Sequence, residues 1–154
     1  MKHLFIFIEG VDGSGKTTLA KALAQNLGAV YYYSPPRAIR FFRKLADASQ
    51  FYIRYLYYCC GNYIASCQIK RLLSRTSVVA DRYIYSTAAY HSALLNRDMP
   101  LPNVGCLPDI LVYTKAPIQT INNRLNAWSS RHKFENETLL EKVSVRYEQT
   151  FQKL

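Results

Sequence analysis

Gly10-Val11-Asp12-Gly13-Ser14-Gly15-Lys16-Thr17 decides the fold of this 154-residue chain. The spacing is G-x-x-x-x-G-K-[ST], that of a phosphate-binding P-loop. On its N-terminal side Leu4-Phe5-Ile6-Phe7-Ile8 reads as a buried strand. On its C-terminal side Thr18-Leu19-Ala20-Lys21-Ala22-Leu23-Ala24 begins a helix that stops at Gly28. Strand, glycine loop and helix N-terminus in that order leave backbone N–H groups around a concavity, where the helix dipole favours negative charge. Gly10, Asp12, Gly13, Ser14, Gly15, Lys16, Thr17 and Thr18 are therefore expected to hold a nucleoside triphosphate. Lys16 would reach the outer phosphates, and the Thr17 hydroxyl would sit on Mg²⁺.

The composition sets the class. Hydrophobic residues make up 49% and charged residues 19%, values of a globular chain long enough for one domain with a real core. No apolar run reaches membrane-spanning length, and no signal-peptide pattern opens the chain. The expectation is a soluble, cytoplasmic protein of a single domain, residues 1–154, with no membrane partner. Cysteines stand at 59, 60, 67 and 106, without C-x-x-C pairing. Cys60 and Cys67 share a helix face by their spacing and read as buried, reduced thiols. The net charge is +10, and eight basic residues between Arg37 and Arg75 face one acid, Asp47. That field suits a polyanion, either nucleotide or nucleic acid.

Along the chain, Ala29-Val30-Tyr31-Tyr32-Tyr33 reads as a second strand ended by Pro35-Pro36. Arg37 to Ala48 follows as one short amphipathic helix, and Phe51 to Leu73 as a long one. The tyrosines of the latter, at 52, 55, 57, 58 and 63, read as core packing. Ser77-Val78-Val79-Ala80 is a third strand with Asp81-Arg82-Tyr83 at its carboxyl end. A helix over Ile84 to Leu95, a strand over Ile110 to Thr114, a helix opened by Pro117, and a last helix from Glu137 complete the pattern. Alternation of strand and helix predicts an α/β fold, a parallel sheet with helices on both faces and ligands outside the carboxyl ends of the strands.

Glu9-Gly10-Val11-Asp12-Gly13-Ser14-Gly15-Lys16-Thr17-Thr18, Asp81-Arg82-Tyr83 with Ser86, and Pro108-Asp109-Ile110 together resemble the thymidylate kinase family. Arg131-His132-Lys133-Phe134-Glu135 is similar to that family's LID, here about residues 128–135. The resemblance implies a three-layer P-loop kinase fold, with strand order 2-3-1-4-5 and the fifth strand missing from this chain. It also implies transfer of the ATP γ-phosphoryl, with Mg²⁺, to a deoxynucleoside monophosphate such as dTMP. Under it Arg82 bridges donor and acceptor phosphates, Asp81 helps to orient the metal's waters, and Arg131 or Lys133 arrives from the LID. Asp12 accepts from the sugar, while Arg37, in competition with Arg40, holds the acceptor phosphate. Tyr58 stacks on the base, Thr87 adjoins it, and Tyr90 favours deoxyribose. A homodimer through helices of the first half is implied as well.

The chain departs from the family pattern at three places. Asn62 stands where the family has an arginine to the base, Lys115 replaces a common acid after the fourth strand, and the chain stops at Leu154. Two other readings compete: a related P-loop kinase with another acceptor, and a non-transferring ATP-binding regulatory protein. Charge is the only support for nucleic-acid contact, so nucleic acid is not the expected partner.

Overall fold

The computed structural model describes residues 2–127 and 137–152. Phe5–Glu9 (β1), Val30–Tyr33 (β2), Val78–Asp81 (β3) and Ile110–Tyr113 (β4) form one sheet, ordered β2-β3-β1-β4, with every pairing parallel. The helices are Lys16–Asn26 (α1), Arg37–Arg40 (α2), Arg43–Ala48 (α3), Phe51–Leu73 (α4), Ile84–Leu95 (α5), Ile118–Asn126 (α6) and Glu137–Phe151 (α7). Among the described residues no helix is long and apolar enough to cross a membrane.

A parallel sheet covered on both faces needs strands that are apolar throughout, and every residue of β1 is buried. Its side chains alternate. Phe5 and Phe7, with Val78 and Ala80 of β3, join a cluster with α5, α6 and α7. Ile6 and Ile8, with Val79, meet Ala20 and Ala24 of α1 on the opposite face. Phe7 stacks on Tyr85 with centroids 5.4 Å apart and meets the edge of Tyr83. Truncating such a ring to alanine costs about 3–5 kcal/mol.

The last residue of β1, Glu9, is fully buried beneath the P-loop. Its carboxyl oxygens accept from the Tyr83 N–H at 2.9 Å, the Ser86 N–H at 3.1 Å, the Tyr147 hydroxyl at 2.8 Å and the Ser86 hydroxyl. Tyr83, the residue before α5, contributes no side-chain cap, so Glu9 occupies the position a cap would fill. One side chain thus ties β1, α5 and α7 together.

Three expectations are corrected here. Arg37 to Ala48 is not one helix but two, α2 and α3, broken at Phe41-Phe42. Those rings are 87% and 55% exposed, and a segment this short without a packed face does not sustain a continuous helix. Along α4 the buried positions are Arg54, Gly61, Asn62, Ala65, Ser66 and Ile69, whereas Tyr52 and Tyr63 are exposed. Cys60 and Cys67 are exposed too, and Cys106 is the buried thiol. The helix packs through small residues because its neighbours come close. A Cβ on Gly61 would lie 2.8 Å from Ile39 Cδ1.

Candidate active site

A cavity of about 980 Å³ opens at the carboxyl rim of the sheet, lined by the P-loop at one end and by α4 and α5 at the other. Gly10 has φ +154°, and a Cβ there would stand 2.3 Å from Thr114 Oγ1, so only glycine fits. The loop is pinned to the end of β4: Ser14 Oγ and Thr114 Oγ1 lie 2.7 Å apart, and Thr114 donates to the Glu9 carbonyl at 3.0 Å. Gly15, at φ +96°, precedes α1 and turns its N-terminus toward the cavity.

Two cations converge on Asp12. The buried Lys16 ammonium donates to the Val11 carbonyl at 3.0 Å and to Asp12 Oδ1 at 3.3 Å. The Arg82 guanidinium pairs with Asp12 Oδ1, lies 3.4 Å from Ser86 Oγ and covers the Tyr90 ring at 5.3 Å. Arg82 holds φ +67°, an unusual backbone for a non-glycine residue, which aims its side chain across the rim. Tyr90 donates its hydroxyl to Asp12 Oδ2 at 2.7 Å. Burial alone would raise the Asp12 carboxyl, but Arg82 and then Lys16 outweigh it and hold it well below the carboxylate range. Burial first, and Arg82 second, lower the Lys16 ammonium. Burial and then Asp12 raise the Tyr90 phenol.

Beside this cluster Asp81 is fully buried at the end of β3. Its Oδ2 accepts from the Thr17 hydroxyl at 2.6 Å and from the Tyr31 hydroxyl at 3.0 Å, while Oδ1 is buried with no partner. A hydroxyl beside an unpartnered carboxylate oxygen is a hard donor set that fits a divalent cation. No group of three metal-ligating carboxylates, imidazoles or thiols exists among the described residues.

At the opposite end Tyr58, Asn62, Thr87 and Tyr90 all line the cavity. The Asn62 amide donates to Thr87 Oγ1 at 2.7 Å, joining α4 to α5. Arg37 and Arg40 do not line it: Arg37 is exposed, and Arg40 donates to the Pro35 carbonyl and lies over the Tyr33 ring. At this end the arginines on the wall are Arg43 of α3 and Arg54 of α4. Arg43 Nε lies 3.5 Å from Asp47 Oδ2 without a directed hydrogen bond, and Tyr58 donates to Asp47 Oδ1 at 2.9 Å. Sequence reading also missed His91 on α5 and Arg124 on α6, whose Nη1 donates to the Gly13 carbonyl at 2.9 Å. A histidine four residues after Thr87 was the available signal for the first. A single arginine on a helix gave none for the second. Lys115 pairs with Glu148 of α7 outside the cavity. The LID-like segment, with Arg131 and Lys133, lies outside the described residues.

The thymidylate kinase sequence model matches residues 8–154 of the chain. A protein named "Probable thymidylate kinase" from Methanococcus aeolicus is 31% identical over 158 residues, covering 93% of this chain and 76% of that one. Another of that name from Methanocaldococcus jannaschii is 29% identical over 153 residues, covering 94% and 80%. The solved thymidylate kinase of Candida albicans superposes with a TM-score of 0.75 at 23% identity, over 96% of this chain and 77% of that one.

Proposed function

The chain belongs to the thymidylate kinase family of nucleoside monophosphate kinases, and from that premise we propose that it transfers the γ-phosphoryl of ATP to dTMP. The observation that supports this best is the Asp12–Arg82–Lys16 cluster, in which the P-loop meets Arg82 at one end of a single cavity that runs to α4 and α5. Phosphoryl transfer asks a protein for in-line positioning and cancellation of charge rather than covalent chemistry. Lys16 and the loop take the donor phosphates. Arg82, a permanently charged planar fork, reaches both phosphates once they enter. Asp12 then shares its oxygens with the sugar hydroxyl, and Tyr90 crowds the 2′ position. Tyr58, Asn62 and Thr87 receive the base.

Thr17 and Asp81 fit Mg²⁺, which when bound neutralises the charge of the phosphates. Asp81 Oδ1, which has no protein partner, and the Thr17 hydroxyl would be the atoms that hold it. Arg131 and Lys133 remain proposed as further charge brought to the donor. We place the enzyme in the cytoplasm, consistent with its free cysteines.

The test is the purified chain with ATP, Mg²⁺ and a panel of monophosphates. Formation of dTDP is expected. A panel from which no diphosphate forms would end the reading.

A homodimer is part of the proposal. Ile53, Leu56, Cys60, Tyr63 and Cys67 form a stripe at three- and four-residue spacing along α4, and all are exposed. An apolar stripe of that kind on a helix marks an interaction face, and two copies would cover each other's. Sedimentation at micromolar concentration should show a dimer in wild type and a monomer in Tyr63→Asp. A monomeric wild type would remove this part of the proposal.

A further inference from the structure

His91 reaches the cavity from α5, next to Thr87 and Asn62, and no motif pointed to it. Its ring is 4% exposed. Nδ1 lies 2.7 Å from the Thr87 carbonyl, an oxygen that can only accept, so Nδ1 carries the ring proton. Nε2 is left as a bare acceptor, and it is buried without a partner.

Neither of the two tyrosine hydroxyls packed beside it supplies the missing donor. The rings of Phe51, Tyr55 and Tyr58 stand edge-on against the imidazole at 5.4, 5.3 and 5.5 Å. Both tyrosine hydroxyls are committed, Tyr55 to the Pro100 carbonyl at 2.7 Å and Tyr58 to Asp47 at 2.9 Å. Burial lowers the imidazole from 6.5 to about 4, against the raising hydrogen bond to Thr87, so the ring is neutral at working pH. The charged groups felt there are Arg54, which lowers it further, and Asp47, which raises it.

A buried acceptor with no donor is a standing cost that a ligand can remove. Resting on the dTMP kinase reading, we propose that His91 is a specificity-determining residue whose Nε2 accepts a hydrogen bond from the base, selecting 2,4-dioxopyrimidines that carry a proton on ring N3. The complement is chemical. Thymine and uracil present N3–H, whereas cytosine presents a lone pair at N3, which would face a second lone pair. A site built to bond such a proton penalises a base that lacks it, because its own polar group then stays unpaired.

The experiment has two arms. In the first, kcat/KM is measured for dTMP, dUMP and dCMP in wild type, His91→Phe and His91→Gln. The Phe variant should lose about tenfold on dTMP and dUMP, mainly through the KM of the monophosphate. The KM for ATP should stay as it was, and Gln, whose carbonyl can accept, should restore part of the loss. In the second arm the ¹⁵N resonance of His91 Nε2 is followed by NMR. It should move when dTMP is added, and stay in place with ATP alone or with dTMP methylated at N3. Unchanged dTMP kinetics in His91→Phe, or a resonance equally moved by the N3-methylated nucleotide, overturns the assignment while leaving the kinase reading intact. A wild-type chain that neither binds nor phosphorylates any pyrimidine monophosphate overturns both.

Discussion

The phosphate end of the cavity and its base end are built in opposite ways. At the phosphate end, residues 10–17 and Arg82 bring their charges together largely satisfied: Asp12 holds Lys16, Arg82 and Tyr90 at once, while Asp81 keeps one carboxylate oxygen, Oδ1, without a partner. At the base end α3, α4 and α5 contribute the lining side chains, and there His91 Nε2 is left without a partner while Arg43 Nε has only its 3.5 Å ion pair with Asp47. The contrast separates two tasks. Charge that must meet any phosphate chain is organised before the ligand arrives, so no reorganisation is needed at the moment of reaction. Selection of one base uses groups that are costly until the right edge pairs with them.

The largest effect expected from breaking this division lies at the phosphate end. Lys16→Ala and Arg82→Ala should each lower kcat by a hundredfold or more, about 3 kcal/mol of transition-state stabilisation, with circular dichroism unchanged. Near-normal turnover in Arg82→Ala would remove it from the bridging role. A smaller effect should appear at the base end in stability against pH. The folded His91 binds its proton at about 4 and the unfolded one at 6.5, so acid favours the unfolded chain. Unfolding free energy should therefore fall as pH drops from about 6.5 to about 4, by up to roughly 3 kcal/mol, and level off below. Denaturant titrations at stepped pH check this, and His91→Gln should flatten the slope in that window. If the slope survives the substitution, the imidazole is not its source.

The smallest effect sharpens the comparison rather than breaking it. Asn62 offers both donors and an acceptor, where an arginine would offer donors only. Asn62→Arg should raise the ratio of kcat/KM for dTMP over dCMP about tenfold, some 1–2 kcal/mol. A ratio that stays put, measured with both nucleotides in one assay, would place Asn62 away from the base edge.

The same division explains what could be read from the sequence. The P-loop and Asp81-Arg82 lie at strand ends, where local spacing and an apolar run fix both position and direction, and the structure puts them on one rim. Arg37 failed as a cavity residue because its place just after Pro35-Pro36 tells where the backbone runs, not which way the side chain points. Cys60 and Cys67 do share a face of α4, but periodicity cannot say which face is inside when the buried one carries Gly61, Asn62 and Ser66. His91 stood in view four residues after Thr87, but its role could not be read for a related reason. Its function depends on which ring nitrogen the Thr87 carbonyl occupies, a matter of tertiary geometry.

Glu9 and Tyr147 are 138 residues apart and meet under the P-loop. A ribosome releases the chain from its N-terminus, so β1 and the nucleotide loop emerge long before their supporting phenol. Until α7 docks, Glu9 lacks its most distant donor, and a buried carboxyl short of partners is unfavourable. The floor of the site is therefore completed late in synthesis, and the nascent chain carries the whole P-loop sequence well before it has a finished site.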